Sequence, residues 1–273
     1  MGWDGAVRGV RSAVVGLWVV AALGLAGCSG SSSSDAEGDG VISTSSTVAE
    51  RETTSSTVAP GVAALEDGPI TPGRYRFVIA STCDEHLVDC DAGVRAPPGL
   101  YADVTVPDGW NASLEFHLIA PRTSEATAGP DGAGLVLGWT TGWVGLNSEP
   151  CAPIGTPGGH QVPDIPVGPT VDDFVDAVVA HPALEVTEPK DVTLGGRPGR
   201  FFTLTGPAQI HACDGWRPWD PGFYAQGPNN QWDVWVMDVD GFRVVVVAQH
   251  FPGTPTEVAT QLREMVESIE LGV

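Results

Sequence analysis

The segment around Trp216 and Trp219 concentrates residue types that could bind a ligand. It offers two indoles, a guanidinium, a carboxylate and a phenol within nine positions, on Trp216, Arg217, Trp219, Asp220 and Tyr224. Sugar-binding sites commonly place aromatic faces beside hydrogen-bonding carboxylates, and binding residues concentrate on loops that a rigid scaffold holds. The segment therefore predicts a saccharide-binding loop. The alternative is that these rings cover a sheet face or pack against a disulfide of Cys213.

No sequence motif marks a known catalytic site. No Ser lies in a Gly-x-Ser-x-Gly elbow or a Ser-x-x-Lys motif, and phosphate-binding and zinc-protease motifs are absent. His160 and Gln161 lie in a loop rich in Gly and Pro, and His160 could act as an acid or base only beside a suitable partner. We predict no catalytic residue, no cofactor and no metal site.

Four of the five Cys, at positions 83, 90, 151 and 213, follow the N-terminal region. An even number in an exported chain predicts two disulfides. We expect Cys83 to pair with Cys90 and Cys151 with Cys213, which would stabilise the fold by about 2.5 and about 4 kcal/mol through loop closure. The two other connectivities stay open. A zinc site is the rival interpretation, but the sequence lacks Cys-x-x-Cys and paired-His spacings.

The first 28 residues have the layout of a bacterial export signal. Arg8 and Arg11 precede an uncharged, nearly all-apolar run from Ala13 to Ala26, which is too short to span a bilayer as a helix. The run leads into Leu25-Ala-Gly-Cys28, which resembles the lipobox of bacterial lipoproteins. In that family the signal is cut before the Cys, whose thiol receives a diacylglyceryl group. The alternative is an ordinary secretory signal with an unrelated Cys.

The lipobox resemblance implies a division of the chain into three parts. Residues 1–27 would be the signal peptide, and residues 28–68 would be the lipidated Cys28 followed by a disordered tether. The tether contains a near-repeat, Ser43–Ala49 and Thr53–Ala59, without the apolar periodicity that a core requires. Residues 69–273 would form a single extracytoplasmic domain, anchored by lipid to the cell membrane.

The charge balance limits the partners that the chain can bind. With 13 Lys+Arg against 34 Asp+Glu, the formal net charge is −21. Nucleic acid is excluded as an expected partner, because phosphate binding requires a basic face. An anionic membrane surface would repel the folded domain, so we expect the lipid to provide the attachment. A cell-wall glycan, a lipid or a protein is the expected ligand.

Two segments have the periodicity of amphipathic helices. The first is Thr170–Ala180, where Thr170 is the expected N-cap and Asp173 completes an approximate capping box. The second is Thr256–Ile269, whose apolar residues fall on one stripe.

Most of the remaining pattern predicts strands. Trp232–Val239 and Phe242–His250 flank Asp240-Gly241, which predicts a hairpin with a type I′ turn. A calcium loop beginning at Asp238 is the alternative there, but its later ligands are absent. A second hairpin is expected between Tyr101–Pro107 and Leu114–Ile119, through Asp108-Gly109. Strands interrupted and followed by helices predict an α+β domain with an antiparallel sheet.

A fold resemblance follows from the order of elements after Thr170. A helix, the strand Val186–Leu194, a Gly-rich turn and the strand Phe201–Thr205 precede the final hairpin and helix. This order resembles the Mog1/PsbP-like fold of mycobacterial lipoproteins of the LpqN type, and the segment Val106-Pro-Asp-Gly-Trp110 is similar to the opening of that fold. The resemblance spans residues 110–273 and implies an antiparallel sheet packed with two main helices. It brings no catalytic residue.

These expectations combine into two functional hypotheses. The first, implied by a resemblance to actinobacterial surface lipoproteins, is a surface lipoprotein whose folded domain is a non-catalytic binding or scaffold domain. The second is an exported, glycosidase-like hydrolase that uses an Asp/Glu pair, since acidic residues are abundant.

Overall fold

The computed structural model describes residues 61–79, 99–123, 126–139, 144–210, 213, 215–220 and 222–273. The predicted signal peptide, the lipidation site Cys28, most of the tether and the Cys83–Cys90 pair lie outside the described residues.

Sixteen strands and two helices make up the described part of the chain. In chain order they are β1 Ala63–Ala64, β2 Gly68–Pro69, β3 Gly73–Val78, β4 Tyr101–Val106, β5 Trp110–Ser113, β6 Leu118–Pro121, β7 Ala133–Trp139, β8 Val144–Leu146, β9 Ile165–Val167, α1 Val171–Ala180, β10 Glu185–Val186, β11 Lys190–Leu194, β12 Arg197–Thr205, β13 Trp219–Asp220, β14 Gln231–Val239, β15 Phe242–His250, α2 Thr256–Glu267 and β16 Glu270–Gly272.

The strands form one large sheet and two small ones. The large sheet has the order β10-β12-β14-β15-β7-β6-β5-β2, with β11 paired to β12. A four-stranded sheet has the order β1-β3-β4-β16, and a three-stranded sheet has the order β13-β8-β9. Every described pair is antiparallel except β1 with β3. The predicted α+β class with an antiparallel sheet and two helices is confirmed.

The central hairpin of β14 and β15 forms as its sequence predicts. Asp240 and Gly241 both have positive φ values, 55° and 88°, as a type I′ turn requires. The strands then pair without interruption from Val239 with Phe242 to Gln231 with His250.

The start of α1 is also set locally. Asp173 N–H donates to Thr170 Oγ1 at 3.1 Å, and Thr170 N–H donates to the Asp173 carboxylate at 2.9 Å, so the predicted capping box is confirmed. The second predicted helix is confirmed as α2, although it ends two residues early, at Glu267.

The large sheet contributes to a hydrophobic core on each of its two faces, as the residues of β15 illustrate. Val244 and Val246 belong to a core that also contains residues of α2 and of the four-stranded sheet. Val245 and Val247 point to the opposite face and belong to a core with residues of α1 and the three-stranded sheet. Alternation along the strand therefore divides one run of Val between two cores.

The predicted hairpin around Asp108-Gly109 is wrong. β4 pairs with β3 and β16, whereas β5 pairs with β2 and β6 in the large sheet. The turn therefore carries the chain from one sheet to another. Residues 114–117 form a turn between β5 and β6, not a strand. A tight-turn pair fixes a local change of direction, and only tertiary packing decides which strand becomes the partner.

Residues 61–68 correct the predicted boundary of the tether. β1 pairs with β3, β2 begins at Gly68 and pairs with β5, and Leu65 is buried in the core. These strands have two residues each, too few for a periodic pattern, so the sequence assigned them to the tether. The folded part begins before Pro69.

Candidate binding groove

The predicted aromatic loop does not offer both of its indoles to a ligand. Trp216 is 4% exposed and Trp219 is 2% exposed. Their ring centroids lie 5.6 and 5.5 Å from that of the fully buried Trp232, with edge-to-face geometry. Neither indole is therefore open to a ligand, because both rings pack into the core on the α1 side. This packing agrees with the alternative interpretation of the sequence, in which the rings cover a sheet face.

The Asp220 carboxylate serves as an internal hydrogen-bond acceptor. Its oxygens accept from Asn147 Nδ2 and from the backbone N–H of Gln161, each at 3.0 Å, and His160 Nδ1 contacts it from a position 60 residues away. Gln161 has a φ of 71°, a conformation that residues other than Gly rarely adopt. Asp220 thus links the Gly-rich loop to the end of β13.

Arg217 and Tyr224 remain partly at the surface. The guanidinium lies 4.5 Å from the centre of the Tyr224 ring, a cation–π geometry, and partial burial lowers the pKa of Arg217. Tyr224 is 37% exposed. Arg217 and Tyr224 are thus the predicted ligand residues that keep solvent-accessible surface, whereas Trp216 and Trp219 beside them are buried.

The predicted disulfide between Cys151 and Cys213 is confirmed. It joins positions separated by 62 residues. Arg217 N–H also donates to Pro150 O at 2.9 Å, next to the disulfide. The loop that begins at Cys151 is therefore tied at both ends, by the disulfide and by the His160 contact with Asp220.

An open groove lies on the other face of the large sheet, against α2. Its volume is about 550 Å³, within the range of small-molecule sites. Its lining residues are Thr193, Leu194, Gly195, Phe201, Asp233, Trp235, Ala248, His250, Ala259, Leu262, Arg263, Val266 and Glu267.

Strand alternation explains the aromatic wall of this groove. Asp233 and Trp235 are two residues apart on β14, so they share one face, while Trp232 lies on the other. Phe201 of β12 is the cross-strand partner of Trp235. The two ring centroids are 5.0 Å apart with an interplanar angle of 46°. Both rings are partly buried and keep surface accessible to the groove.

The polar part of the groove combines acceptors with donors. Asp233 is 33% exposed at its side chain, accepts a hydrogen bond from Thr203 Oγ1 at 2.8 Å, and has His250 Nε2 at 3.6 Å. On α2, Arg263 and Glu267 are both exposed at the opposite wall. The groove thus presents two carboxylates, a guanidinium and an imidazole beside two aromatic rings.

The sequence contained one usable signal for this site. The alternation in Gln231–Val239 places Asp233 and Trp235 on the same face of a predicted strand. It could not indicate the opposite wall, since Arg263 and Glu267 belong to a helix that follows after the next strand.

The described residues contain no cluster of three or more His, Cys, Asp or Glu that could hold a metal ion. Within the same part of the chain, no helix has the length and apolar character needed to cross a membrane. No known protein family matches the chain, and no curated protein matches it significantly.

Proposed function

We propose that this chain is a membrane-anchored extracytoplasmic lipoprotein whose folded domain binds a ligand without catalysing a reaction. The groove between the large sheet and α2 carries the proposal for binding. It combines the aromatic pair Phe201 and Trp235 with polar side chains from two separate elements. Ligand sites typically combine apolar walls with a few converging polar groups in this way.

The anchoring part of the proposal rests on the N-terminal sequence. Leu25-Ala-Gly-Cys28 follows an apolar run with a basic start, as in lipoprotein signals. Diacylation of Cys28, with palmitate among the acyl chains, would hold the protein at the cell membrane, since two chains anchor more stably than one. The Cys151–Cys213 disulfide is compatible with an oxidising, extracytoplasmic compartment.

The Mog1/PsbP-like identity of the fold is part of the same proposal. An antiparallel sheet with two helices, one of them following the last long hairpin, agrees with that architecture. LpqN-type lipoproteins would then be relatives in fold over residues 110–273, the span of the resemblance.

Binding is favoured over the alternative of a glycosidase-like hydrolase. A carboxyl group that acts as a general acid near neutral pH is normally kept protonated by an apolar environment. The two carboxylates of the groove are Asp233, whose side chain is one-third exposed, and Glu267, which is exposed on α2. Neither has the burial that such a role requires.

Metabolic labelling tests the anchor. Cells that produce the wild-type chain should incorporate labelled palmitate into it, and a Cys28→Ala variant should not. The matched control is Cys213→Ala, which removes a cysteine without touching the lipobox. Equal labelling of the Cys28→Ala variant would refute lipidation at this residue.

Thermal unfolding tests the groove. Purified chain is mixed separately with the polysaccharide, lipid and peptide fractions of the cell envelope. A ligand at one hundred times its Kd stabilises the native state by about 2.7 kcal/mol, which corresponds to a rise in Tm of roughly 5–10 °C for a domain of this size. We expect one fraction to raise the Tm of the wild type and of Tyr224→Ala, but not of Trp235→Ala. A groove that bound nothing would leave all three variants unchanged by every fraction, and the proposal would then fail.

A further inference from the structure

We infer that the ligand of this groove is a neutral saccharide whose ring stacks on Trp235 and whose hydroxyls bridge the two walls. This inference rests on the proposed function and names its ligand class. It follows from three properties of the groove: its aromatic wall, its mixture of donors and acceptors, and its charge.

The aromatic wall provides two neighbouring rings that line the groove. Trp235 and Phe201 are cross-strand partners, with ring centroids 5.0 Å apart and ring planes tilted by 46°. Both keep partly accessible surface along the groove. A pyranose ring has one face of C–H groups that packs against such an aromatic surface, while its hydroxyls stay free at the edge.

The polar groups near the aromatic wall suit a ligand with several hydroxyl groups better than a ligand with one charged group. Each sugar hydroxyl both donates and accepts a hydrogen bond. Asp233 and Glu267 supply acceptors, while Arg263 supplies donors from the same helix as Glu267. Neighbouring hydroxyls of a sugar would therefore find a donor and an acceptor on the α2 wall, with Asp233 on the sheet wall as a second acceptor.

Charge separates a neutral sugar from an anionic ligand. The groove contains two carboxylates against one Arg and one His, in a chain whose formal net charge is −21. A phosphate or sulfate group would thus meet a repulsive field from both the groove and the whole domain.

Desolvation separates a neutral sugar from a lipid chain. An alkyl chain lying along Trp235 would displace water from the Arg263 guanidinium, and from the part of the Asp233 carboxylate that does not accept from Thr203 Oγ1, without offering a hydrogen bond in return. Burying polar and charged groups without partners is costly. A sugar replaces the lost water contacts with its own hydroxyls.

Titration calorimetry with defined sugars tests the inference on the purified full chain. The probes are neutral trisaccharides of glucose, galactose, mannose, arabinose and N-acetylglucosamine, together with short fragments of the neutral wall polysaccharide. We expect at least one probe to bind, and Trp235→Ala to weaken it by roughly tenfold or more, as truncation of an aromatic anchor does. Trp235→Phe should retain part of the affinity, and Tyr224→Ala should retain all of it.

Substitutions at exposed positions test sugar binding without the complication that the variant fails to fold. Arg263→Gln and Glu267→Gln change exposed positions of α2, so both should keep the wild-type Tm while weakening sugar binding several-fold. Arg200→Gln, a partly exposed Arg outside the groove, is the matched control and should bind as the wild type does.

The outcomes separate this inference from the proposed function. If the lipid or peptide fraction raises the Tm in a Trp235-dependent manner and no sugar binds, the saccharide inference is overturned and the groove function stands. If no fraction and no sugar binds, both fail. If a sugar binds equally well to Trp235→Ala, Arg263→Gln and Glu267→Gln, the sugar site lies elsewhere and the inference is overturned.

Discussion

The two aromatic regions of this domain have similar compositions but differ in exposure. On the α1 side, Trp216 and Trp219 pack against Trp232, and all three are buried. On the α2 side, Trp235 and Phe201 form a pair that lines an open groove. Each region also has a nearby carboxylate, Asp220 in the first and Asp233 in the second.

Aromatic residues on a sheet face become part of the core or of a binding site according to what packs over that face, and not according to the composition of the face. The α1 face is closed by the helix, the three-stranded sheet and the loop that carries Trp216. The α2 face is covered incompletely beside β11, β12 and β14, and the groove remains there. Trp232 and Trp235 are three positions apart on one strand, which is enough to place them on opposite faces.

The largest difference in stability between the two faces should appear when Trp232 and Trp235 are each replaced by Ala. Trp232→Ala removes a fully buried indole, together with its hydrogen bond to Asn230 Oδ1, and should lower the free energy of unfolding by about 4–5 kcal/mol. Trp235→Ala should lower it by about 1 kcal/mol, because part of that ring already faces solvent. Urea denaturation measures both values. Equal losses would mean that the two faces are equally closed.

Removing the disulfide tests how the α1 side is kept closed. The Cys151→Ala, Cys213→Ala double variant opens a link across 62 residues and should cost about 4 kcal/mol. The groove on the other face should still bind its ligand with unchanged affinity at temperatures where the variant is folded. Non-reducing peptide mapping of the wild type is the control. A fragment pairing other than Cys151 with Cys213 would contradict the basis of this prediction.

Replacing the buried Asp220 should lower the free energy of unfolding more than replacing Asp233 does. The difference should be smaller than that between the two Trp variants. Asp220→Ala leaves the Gln161 N–H without its acceptor and takes one of two acceptors from Asn147 Nδ2, which still donates to Arg217 O. This change should cost about 2–3 kcal/mol. Asp233→Ala removes a partly exposed group and should cost less than about 1 kcal/mol, although sugar binding should weaken. Thermal unfolding and calorimetry together separate the two effects, and a larger stability loss for Asp233→Ala would reverse the comparison.

The smallest expected effect concerns the helix that covers the closed side. Thr170→Ala removes the N-cap of α1 and should cost about 1 kcal/mol, while Thr256→Ala is the matched control because α2 has no side-chain cap. Hydrogen bonding with Thr170, chiefly with its side chain and then with its backbone, holds the pKa of Asp173 below its usual value. The stability that ionised Asp173 contributes is fully present when the pH is above the ordinary pKa of Asp, and it is lost as the pH falls through the lowered pKa of Asp173. The difference between wild type and variant should therefore narrow below about pH 4, and a widening there would contradict it.

Predictions from short windows of sequence were the most successful ones. The capping box at Thr170 and the turn at Asp240-Gly241 depend on residues within a few positions of each other, and both form as predicted. The strand pairing around Asp108-Gly109 was wrong, because the partner of β4 is β3, which precedes it by more than twenty residues. The same limit applied to the site, since an aromatic and acidic composition predicts a sugar site equally well on an open or a closed face.

Local interactions within the sequence are enough to specify the two amphipathic helices and the central hairpin. Tertiary structure alone decided that Trp216 and Trp219 are buried, that His160 meets Asp220 across 60 residues, and that Arg263 and Glu267 stand opposite Trp235. The physical reason is that hydrogen bonds within a turn or a helix are fixed by neighbouring residues. Burial, by contrast, depends on which distant segment covers a face, and no short stretch of the chain contains that information.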